Sequence, residues 1–91
     1  MNAIHKPIPF IPDYNATPGA NFQVLIKKMG FRSAAAVKLL AKKMGVDPSV
    51  IANIANDKES ITFSMADLLE RGTGIKARFW LDMVEKCNSK S

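Results

Sequence analysis

The stretch "LLAKKMGVDPSVIANIANDKESIT", residues 39–62, holds two short helical patterns that meet at "GVDP" with almost no room for a loop. Gly45 suits the end of the first helix, because the left-handed conformation common there costs energy for a residue with a side chain. Asp47 followed by Pro48 is typical of a helix start, with the Asp as N-cap and the Pro in the first turn. The sequence predicts two helices joined by a turn of about three or four residues.

The helix before the turn, from about Ser33 to Met44, has one apolar face and one basic face. Helical spacing turns four side chains inward: Val37, Leu40, Ala41 and Met44. Lys38 and Lys42 fall on the opposite face, with Lys43 beside them. Ala41 has a reason to be small, because a larger group at the contact with the next helix would push the two helices apart.

The helix after the turn, from Asp47 to Ala55, is short and mostly uncharged. Its predicted inward set is Ile51, Ile54 and Ala55. Its predicted outward set is Ser49, Val50, Asn53 and Asn56. "NDKES" then has the composition of a turn.

Three further helices are predicted on either side of this pair. The first starts at Thr17 and Pro18, ends at Gly30 and carries Phe22, Leu25, Ile26 and Met29 on one stripe. The fourth is capped by Thr62, carries Met65, Leu68 and Leu69, and is broken by "GTG" at 72–74. The fifth has a broad apolar face: Ile75, Phe79, Trp80, Met83, Val84 and Cys87. No β-alternation is present, so the expected fold class is all-α.

The ends of the chain are predicted to lie outside the helical domain. Residues 1–16 contain three of the five prolines, which fix φ and remove backbone donors, so an extended arm is expected there. Its apolar side chains fit either packing against the domain or a disordered tail. The expected organisation is an arm at 1–16, a helical domain at 17–87 and a polar tail at 88–91.

Length and composition exclude several classes of protein. Ninety-one residues suit one small domain, no run is apolar enough to cross a bilayer, and the start lacks a signal-peptide core. The single cysteine indicates a reducing compartment, so the expected location is the cytoplasm. No residues are set for catalysis, for metal binding or for a cofactor, because the sole His5 lies in the arm and no carboxylate pair stands beside a base.

The net charge of +5 is unevenly distributed along the chain. Residues 1–46 contain seven Lys and Arg against one Asp, whereas the remaining residues contain six against seven. This basic first half is compatible with a polyanionic partner, although a modest positive charge is also common in small soluble proteins.

Two helices joined by a short Gly-containing turn are the sequence form of a helix-turn-helix. In that unit the second helix lies in the DNA major groove while the first crosses the backbone. A compact helical bundle with a tight corner and no DNA-binding role has the same spacing.

The segments "LAKKMGVDPSVIANIANDKESIT" and "FWLDM" resemble the corresponding sequences of HigA-type antitoxins. These antitoxins belong to the XRE-like helix-turn-helix family and are also described as plasmid-maintenance antidote proteins. The resemblance covers about residues 36–87. It implies a compact five-helix, lambda-repressor-like domain and a DNA-binding antitoxin that represses its own operon and neutralises a RelE-like ribonuclease toxin. Such proteins usually act as homodimers on double-stranded operator DNA with two-fold related half-sites.

The predicted recognition helix departs from the family where Pro48 and Val50 stand, since other members commonly have Arg there. Arg is the usual reader of guanine, so a different base preference is expected. Asn53 can pair with adenine, Ser49 can reach a base edge or a phosphate, and Val50 can touch a thymine methyl group. These three residues predict readout that leans towards A·T pairs.

Phosphate contacts are predicted from Lys38 and Lys42 on the second helix and from Asn56 and Lys58 after the third. Each lysine is equally consistent with an ordinary solvated charge. Asp57 replaces the family's glycine in this turn, tolerates the left-handed region better than most residues, and places a negative charge near the expected phosphate.

The last helix raises a choice between core and interface. Trp80 is expected in the core, and Leu81 and Val84 on the far side form a candidate dimer surface. Two functional alternatives also stay open. One is an interaction module that has the fold but little sequence-specific DNA binding, and the other is a free-standing transcriptional repressor.

Overall fold

Five α-helices and no strand make up residues 10–89, the part of the chain that the computed structural model describes. The helices are α1 (Pro18–Lys28), α2 (Ala34–Met44), α3 (Pro48–Ala55), α4 (Phe63–Thr73) and α5 (Ala77–Asn88). The prediction of an all-α chain with five helices is confirmed for these residues. The last helix extends one residue beyond the predicted boundary at 87.

Helices α1 to α4 each begin at a side-chain cap, and the sequence predicts those at Thr17, Asp47 and Thr62. A side-chain oxygen of the residue before the helix accepts a hydrogen bond from a backbone N–H of the first turn, which would otherwise lack a partner. The capping residues of α1 to α4 are Thr17, Ser33, Asp47 and Thr62. Helix α5 begins differently, because the Ala77 N–H donates to Oε1 of Glu70 on α4 at 2.9 Å.

The core lies where α2 packs on α3 and α4, α4 packs on α5, and α1 packs on α3 and α5. Trp80 is fully buried, as predicted, with its ring centroid 5.8 Å from that of Phe22 and 5.6 Å from that of Phe79. Buried aromatic and aliphatic side chains from all five helices therefore hold α2 and α3 on a single scaffold.

The "GTG" segment corrects one prediction. Helix α4 continues through Gly72 and Thr73 and ends only at Gly74, whose φ of 80° is left-handed. Gly72 is buried against α2, where an added Cβ would lie 2.6 Å from Cγ of Met44 and 2.9 Å from Cδ1 of Leu40. The first glycine therefore allows close helix packing, and only the second stops the helix.

The predicted arm is partly described, since residues 1–9 lie outside the described part of the chain. From Phe10 onwards it packs on the domain, with its first ring edge-on to Phe79 at 6.5 Å between centroids. The buried Asn21 side chain accepts from the Asp13 N–H at 2.7 Å and donates to the Asp13 carbonyl at 2.9 Å. Residues 10–16 are non-helical and are fastened to α1 and α5.

Candidate nucleic-acid interface

The corner between α2 and α3 is a backbone motif with a defined hydrogen-bond pattern. Gly45 has a φ of 76°, and its N–H donates to the Lys42 carbonyl at 3.1 Å. The Val46 N–H donates to the Ala41 carbonyl at 3.0 Å. These two bonds form a Schellman motif, which ends α2 within one turn. Residues 45–47 alone separate the two helices, so the predicted short turn is confirmed.

The inner side of the corner is apolar and closely packed. Ala41, Ile51 and Ile54 are at most 2% exposed, in agreement with their predicted inward positions. Val37 and Ala55, also predicted to face inward, are only half-buried. The buried residues fix α3 against α2 and leave the opposite side of α3 towards solvent.

The outer side of α3 differs in part from the predicted set. Ser49 and Asn56 are exposed, whereas Asn53 is half-buried. Val50 is also half-buried and packs against the core, so the prediction that it faces outward is corrected: its side chain is shared between the core and the surface. Ala52 is exposed although sequence reasoning omitted it, and its helical spacing from Ser49 and Asn56 would have identified it.

The start of α3 carries a hydrogen-bonded Asp and Ser pair. Asp47 Oδ1 accepts from the Ser49 N–H at 2.9 Å. This backbone bond, together with a bond from the Ser49 hydroxyl, lowers the pKa of Asp47. A hydroxyl oxygen has two acceptor lone pairs, so exposed Ser49 can accept a hydrogen bond from a base amino group.

The predicted phosphate contacts on α2 are exposed and uncompensated. Lys38 and Lys42 form no ion pair with any acidic side chain between residues 10 and 89, and neither does Lys43. The ion pairs found in that range join Lys76 to Glu70 and Lys86 to Asp82, on or beside α4 and α5. The positive charge of α2 is therefore available to an external anion.

A second Schellman motif ends α3. The Asp57 N–H donates to the Ile54 carbonyl at 3.1 Å, and the Lys58 N–H donates to the Asn53 carbonyl at 2.8 Å. Asp57 has a φ of 60° and is the one non-glycine residue with positive φ among residues 10–89. The residue that follows, Lys58, is exposed and has no ion pair with a described acidic group.

The carboxylate of Asp57 has a partner inside the protein. Its Oδ1 accepts from the Gly19 N–H at 2.8 Å, in the first turn of α1. The sequence placed this charge near the expected phosphate, whereas the structure places it against the positive end of the α1 dipole. The carboxylate is therefore engaged by α1.

Asn56, beside this turn, retains part of its hydrogen-bonding capacity. Its Nδ2 donates to the Ala52 carbonyl at 2.9 Å. An amide carries two N–H donors and an acceptor oxygen, so one donor and the oxygen remain for another partner. The turn after α3 thus presents an amide and an ammonium group on the two residues that flank Asp57.

The predicted dimer residues lie on α5. Leu81 and Val84 are half-buried and line a shallow depression on α5, beside Phe63 at the start of α4. Phe63 is 79% exposed. Arg78, Asp82 and Glu85 complete the lining of this depression. Phe63, Leu81 and Val84 together make an apolar patch with polar margins, the kind of surface that marks a contact with another molecule.

Other kinds of site find little support in the described residues. No group of His, Cys, Asp and Glu side chains in that range is arranged to hold a metal ion, and none of its helices is long and apolar enough to cross a membrane. Burial, with a further contribution from the charge of Asp13, raises the pKa of the Cys87 thiol, which disfavours the nucleophilic thiolate.

Comparison with known proteins identifies the region that contains this corner. Residues 37–80 match the family model described as helix-turn-helix, a DNA-binding family that is not typically enzymatic. No curated protein and no solved structure matches the chain. The matched range spans most of α2, all of α3 and α4, and the start of α5. Residues 37–80 are therefore similar in sequence to a helix-turn-helix domain, and the five described helices are consistent with an all-α, lambda-repressor-like fold. This similarity suggests a DNA-binding function of the transcription-regulator kind.

Proposed function

We propose that this protein is the DNA-binding antitoxin of a toxin–antitoxin pair, which represses its own operon and neutralises a RelE-like ribonuclease toxin. The helix-turn-helix domain at residues 37–80 supports the DNA-binding part of the proposal. The antitoxin part is supported by the resemblance of "LAKKMGVDPSVIANIANDKESIT" and "FWLDM" to HigA-type proteins.

The observation that carries the DNA-binding part is the set of uncompensated cations on both sides of α3. Lys38 and Lys42 precede it on α2, Lys58 follows it, and none of the three pairs with an acid among residues 10–89. Cations that neutralise phosphates release condensed counterions, which gives affinity and salt dependence without reading sequence. These lysines fit contacts to the backbone on either side of a groove that holds α3.

Base recognition in this proposal depends on the polar side chains of α3. The helix contains no Arg or Lys, so it lacks the usual bidentate reader of guanine. Asn53 has the donor and acceptor pair that matches adenine N6 and N7, and Ser49 presents its hydroxyl oxygen to a base amino group. We expect a preference for A·T pairs at the centre of each half-site.

The same proposal includes a homodimer that joins two such half-sites. The depression on α5 offers an apolar centre of Phe63, Leu81 and Val84 with Arg78 and acidic side chains at its margin. A two-fold interface brings the same patch of both copies together, so cations and carboxylates at one margin suit a second copy of this chain. Leu81→Asp should convert a dimer to a monomer in sedimentation, whereas Val24→Asp, at an exposed apolar site on α1, should not.

The DNA-binding part is tested by fluorescence anisotropy with DNA from upstream of the protein's own gene, beside scrambled DNA, at two salt concentrations. We expect selective binding that weakens with salt, and its loss in Asn53→Ala and Lys58→Ala. Lys76→Ala is the matched control, because it removes one positive charge from the loop between α4 and α5. Equal and weak binding to both DNAs would contradict the DNA-binding proposal and favour the interaction module.

The antitoxin part has a separate test. The product of the neighbouring gene should form a stable complex with this protein, and the complex should lack the ribosome-dependent RNA cleavage that the isolated product shows. Selective operator binding without such a partner would leave a free-standing repressor. The apolar patch of Phe63, Leu81 and Val84, in which Phe63 is 79% exposed, is the observation that favours a protein partner as well as DNA.

A further inference from the structure

The end of α3 and the start of α1 are in unusually close contact. Besides the 2.8 Å hydrogen bond from the Gly19 N–H to Asp57 Oδ1, the backbone of α1 lies directly over that of α3. A Cβ on Gly19 would be 2.5 Å from the Ile54 carbonyl oxygen, 2.6 Å from Asp57 Oδ1 and 2.8 Å from the Ala55 carbonyl oxygen. Only glycine leaves room for this arrangement.

Asp57 has a backbone conformation in which glycine would have the least strain. At a φ of 60° a side chain adds strain, which Asp and Asn tolerate better than other residues. The side chain here provides the bond to α1, a contact that glycine cannot make. The hydrogen bond between its carboxylate and the Gly19 N–H therefore explains the presence of Asp at this position.

The neighbours of Asp57 are the groups assigned to phosphate contact. Asn56 precedes it and Lys58 follows it, both exposed. The Lys58 N–H bond to the Asn53 carbonyl belongs to the same turn, so the direction in which Lys58 leaves α3 depends on the conformation of Asp57. A side chain that fixes this turn also fixes where the ammonium group can reach.

We propose that Asp57 is a positioning residue for DNA binding: its carboxylate, bonded to the Gly19 amide of α1, holds the turn from which Asn56 and Lys58 contact the phosphate backbone. This inference deepens the proposed function and rests on it. In the competing explanation, the carboxylate only repels DNA and its bond to α1 matters for folding alone.

The test combines Asp57→Asn, Asp57→Ala and Lys58→Ala with the double variant Asp57→Ala/Lys58→Ala. Asn keeps an acceptor oxygen for the Gly19 N–H and tolerates the left-handed conformation, whereas Ala has no acceptor. Glu59→Gln is the charge control, because it removes a carboxylate two residues away that makes no hydrogen bond to α1 among the described contacts. Affinity for the operator fragment is measured against salt concentration, with circular dichroism to select a temperature at which every variant is folded.

The expected result is that Asp57→Asn keeps the affinity within about twofold and keeps the salt slope. Asp57→Ala should lose about tenfold in affinity and about one unit of slope, the share of one phosphate contact. Because Asp57 acts through Lys58 as well as Asn56, the further loss caused by Asp57→Ala should be smaller in the Lys58→Ala background than in the unmodified protein. In parallel, the Gly19 amide proton should exchange with solvent faster in Asp57→Ala than in Asp57→Asn.

Three results would overturn the positioning role while leaving the proposed function intact. They are tighter binding by Asp57→Asn and Glu59→Gln alike, an unchanged slope in Asp57→Ala, or an equal loss from Asp57→Ala with and without Lys58. Absence of salt-dependent, selective binding by the unmodified protein would instead overturn the proposed function, and the positioning role with it.

Discussion

Helices α2 and α3 end in the same backbone motif but with different residues at its left-handed position. In both, the two N–H groups after the helix donate back to carbonyls of its last turn. Gly45 ends α2, and a Cβ there would meet no atom within 4 Å in the described part of the chain. Asp57 ends α3, and its side chain bonds to α1. The end of α2 is stabilised by residues adjacent in the chain, whereas the end of α3 is also stabilised by a tertiary contact.

The difference matters because α3 is the helix assigned to the groove. The bond from Gly19 to Asp57 joins residues 38 apart in sequence. Through it, the turn after the recognition helix is held by the first helix as well as by its own backbone. The end of α2 needs no such support, since Asp47 starts the next helix three residues after Met44.

The largest effect should come from Gly19→Ala, which disrupts the contact between the start of α1 and the end of α3. The added methyl group would collide with two carbonyl oxygens and a carboxylate, and backbone atoms cannot move aside as side chains do. We expect a loss of about 3 kcal/mol in the free energy of unfolding, at the upper end of overpacking effects. Urea denaturation followed by circular dichroism measures this loss.

Gly72→Ala is the matched control for this substitution. Its Cβ would also be crowded, but by Cγ of Met44 and Cδ1 of Leu40, which are ends of flexible side chains. We expect a smaller loss, about 1 kcal/mol. Equal losses at the two positions would mean that α1 and α3 are less closely fastened than the structure shows.

A smaller effect is expected from Gly45→Asp, which gives α2 the residue that ends α3. The new side chain has no partner in the structure, so only the cost of the left-handed conformation and of a carboxylate at a helix C-terminus remains. The expected loss is about 1–2 kcal/mol. Gly45→Asn separates the two causes, because Asn tolerates the conformation and carries no charge. An unchanged midpoint in urea would contradict the conclusion that a side chain at position 45 has no stabilising partner elsewhere in the domain.

The two ends also show what the sequence alone can predict. The helix starts at Thr17 and Asp47 and the stop at Gly45 were correctly predicted, because capping depends on residues adjacent in the chain. The partner of Asp57 was not, because a hydrogen bond across 38 residues leaves no periodic signal. Gly72 was misread for the same reason: a glycine beside a helix stop resembles one that is needed for packing.

The candidate site follows the same division. Ser49, Asn56 and the lysines of α2 are exposed as their helical spacing predicted. Val50 was misplaced, since the spacing cannot tell how far the core extends around a helix of only eight residues. Ala52 was overlooked because it carries no polar group, although its position on the exposed side was predictable from the 3.6-residue period.

Asp57→Gly should have a smaller effect still, because it exchanges one favourable contribution for another. Glycine relieves the left-handed strain but loses the bond to the Gly19 N–H. We expect a net loss of about 0.5–1 kcal/mol, since a hydrogen bond to a charged group is worth more than the strain it accompanies. A gain in the urea midpoint would show that the relieved strain outweighs the bond from the Gly19 N–H to the carboxylate.

The smallest effect concerns pH and the other end of α3. Hydrogen bonds from the Ser49 N–H and hydroxyl hold the pKa of Asp47 below its ordinary value of 3.8. In the interval between the two pKa values the unfolded chain binds more protons, so this contribution to stability is fully present above about pH 3.8 and is lost as the pH falls through the lower, folded-state value. Asp47→Asn keeps a capping oxygen without a titrating group. On acidification below that pH, the thermal midpoint of the unmodified protein should therefore fall more than that of the variant. A difference that stays constant down to pH 2 would show that the bonds at the start of α3 do not favour the charged carboxylate.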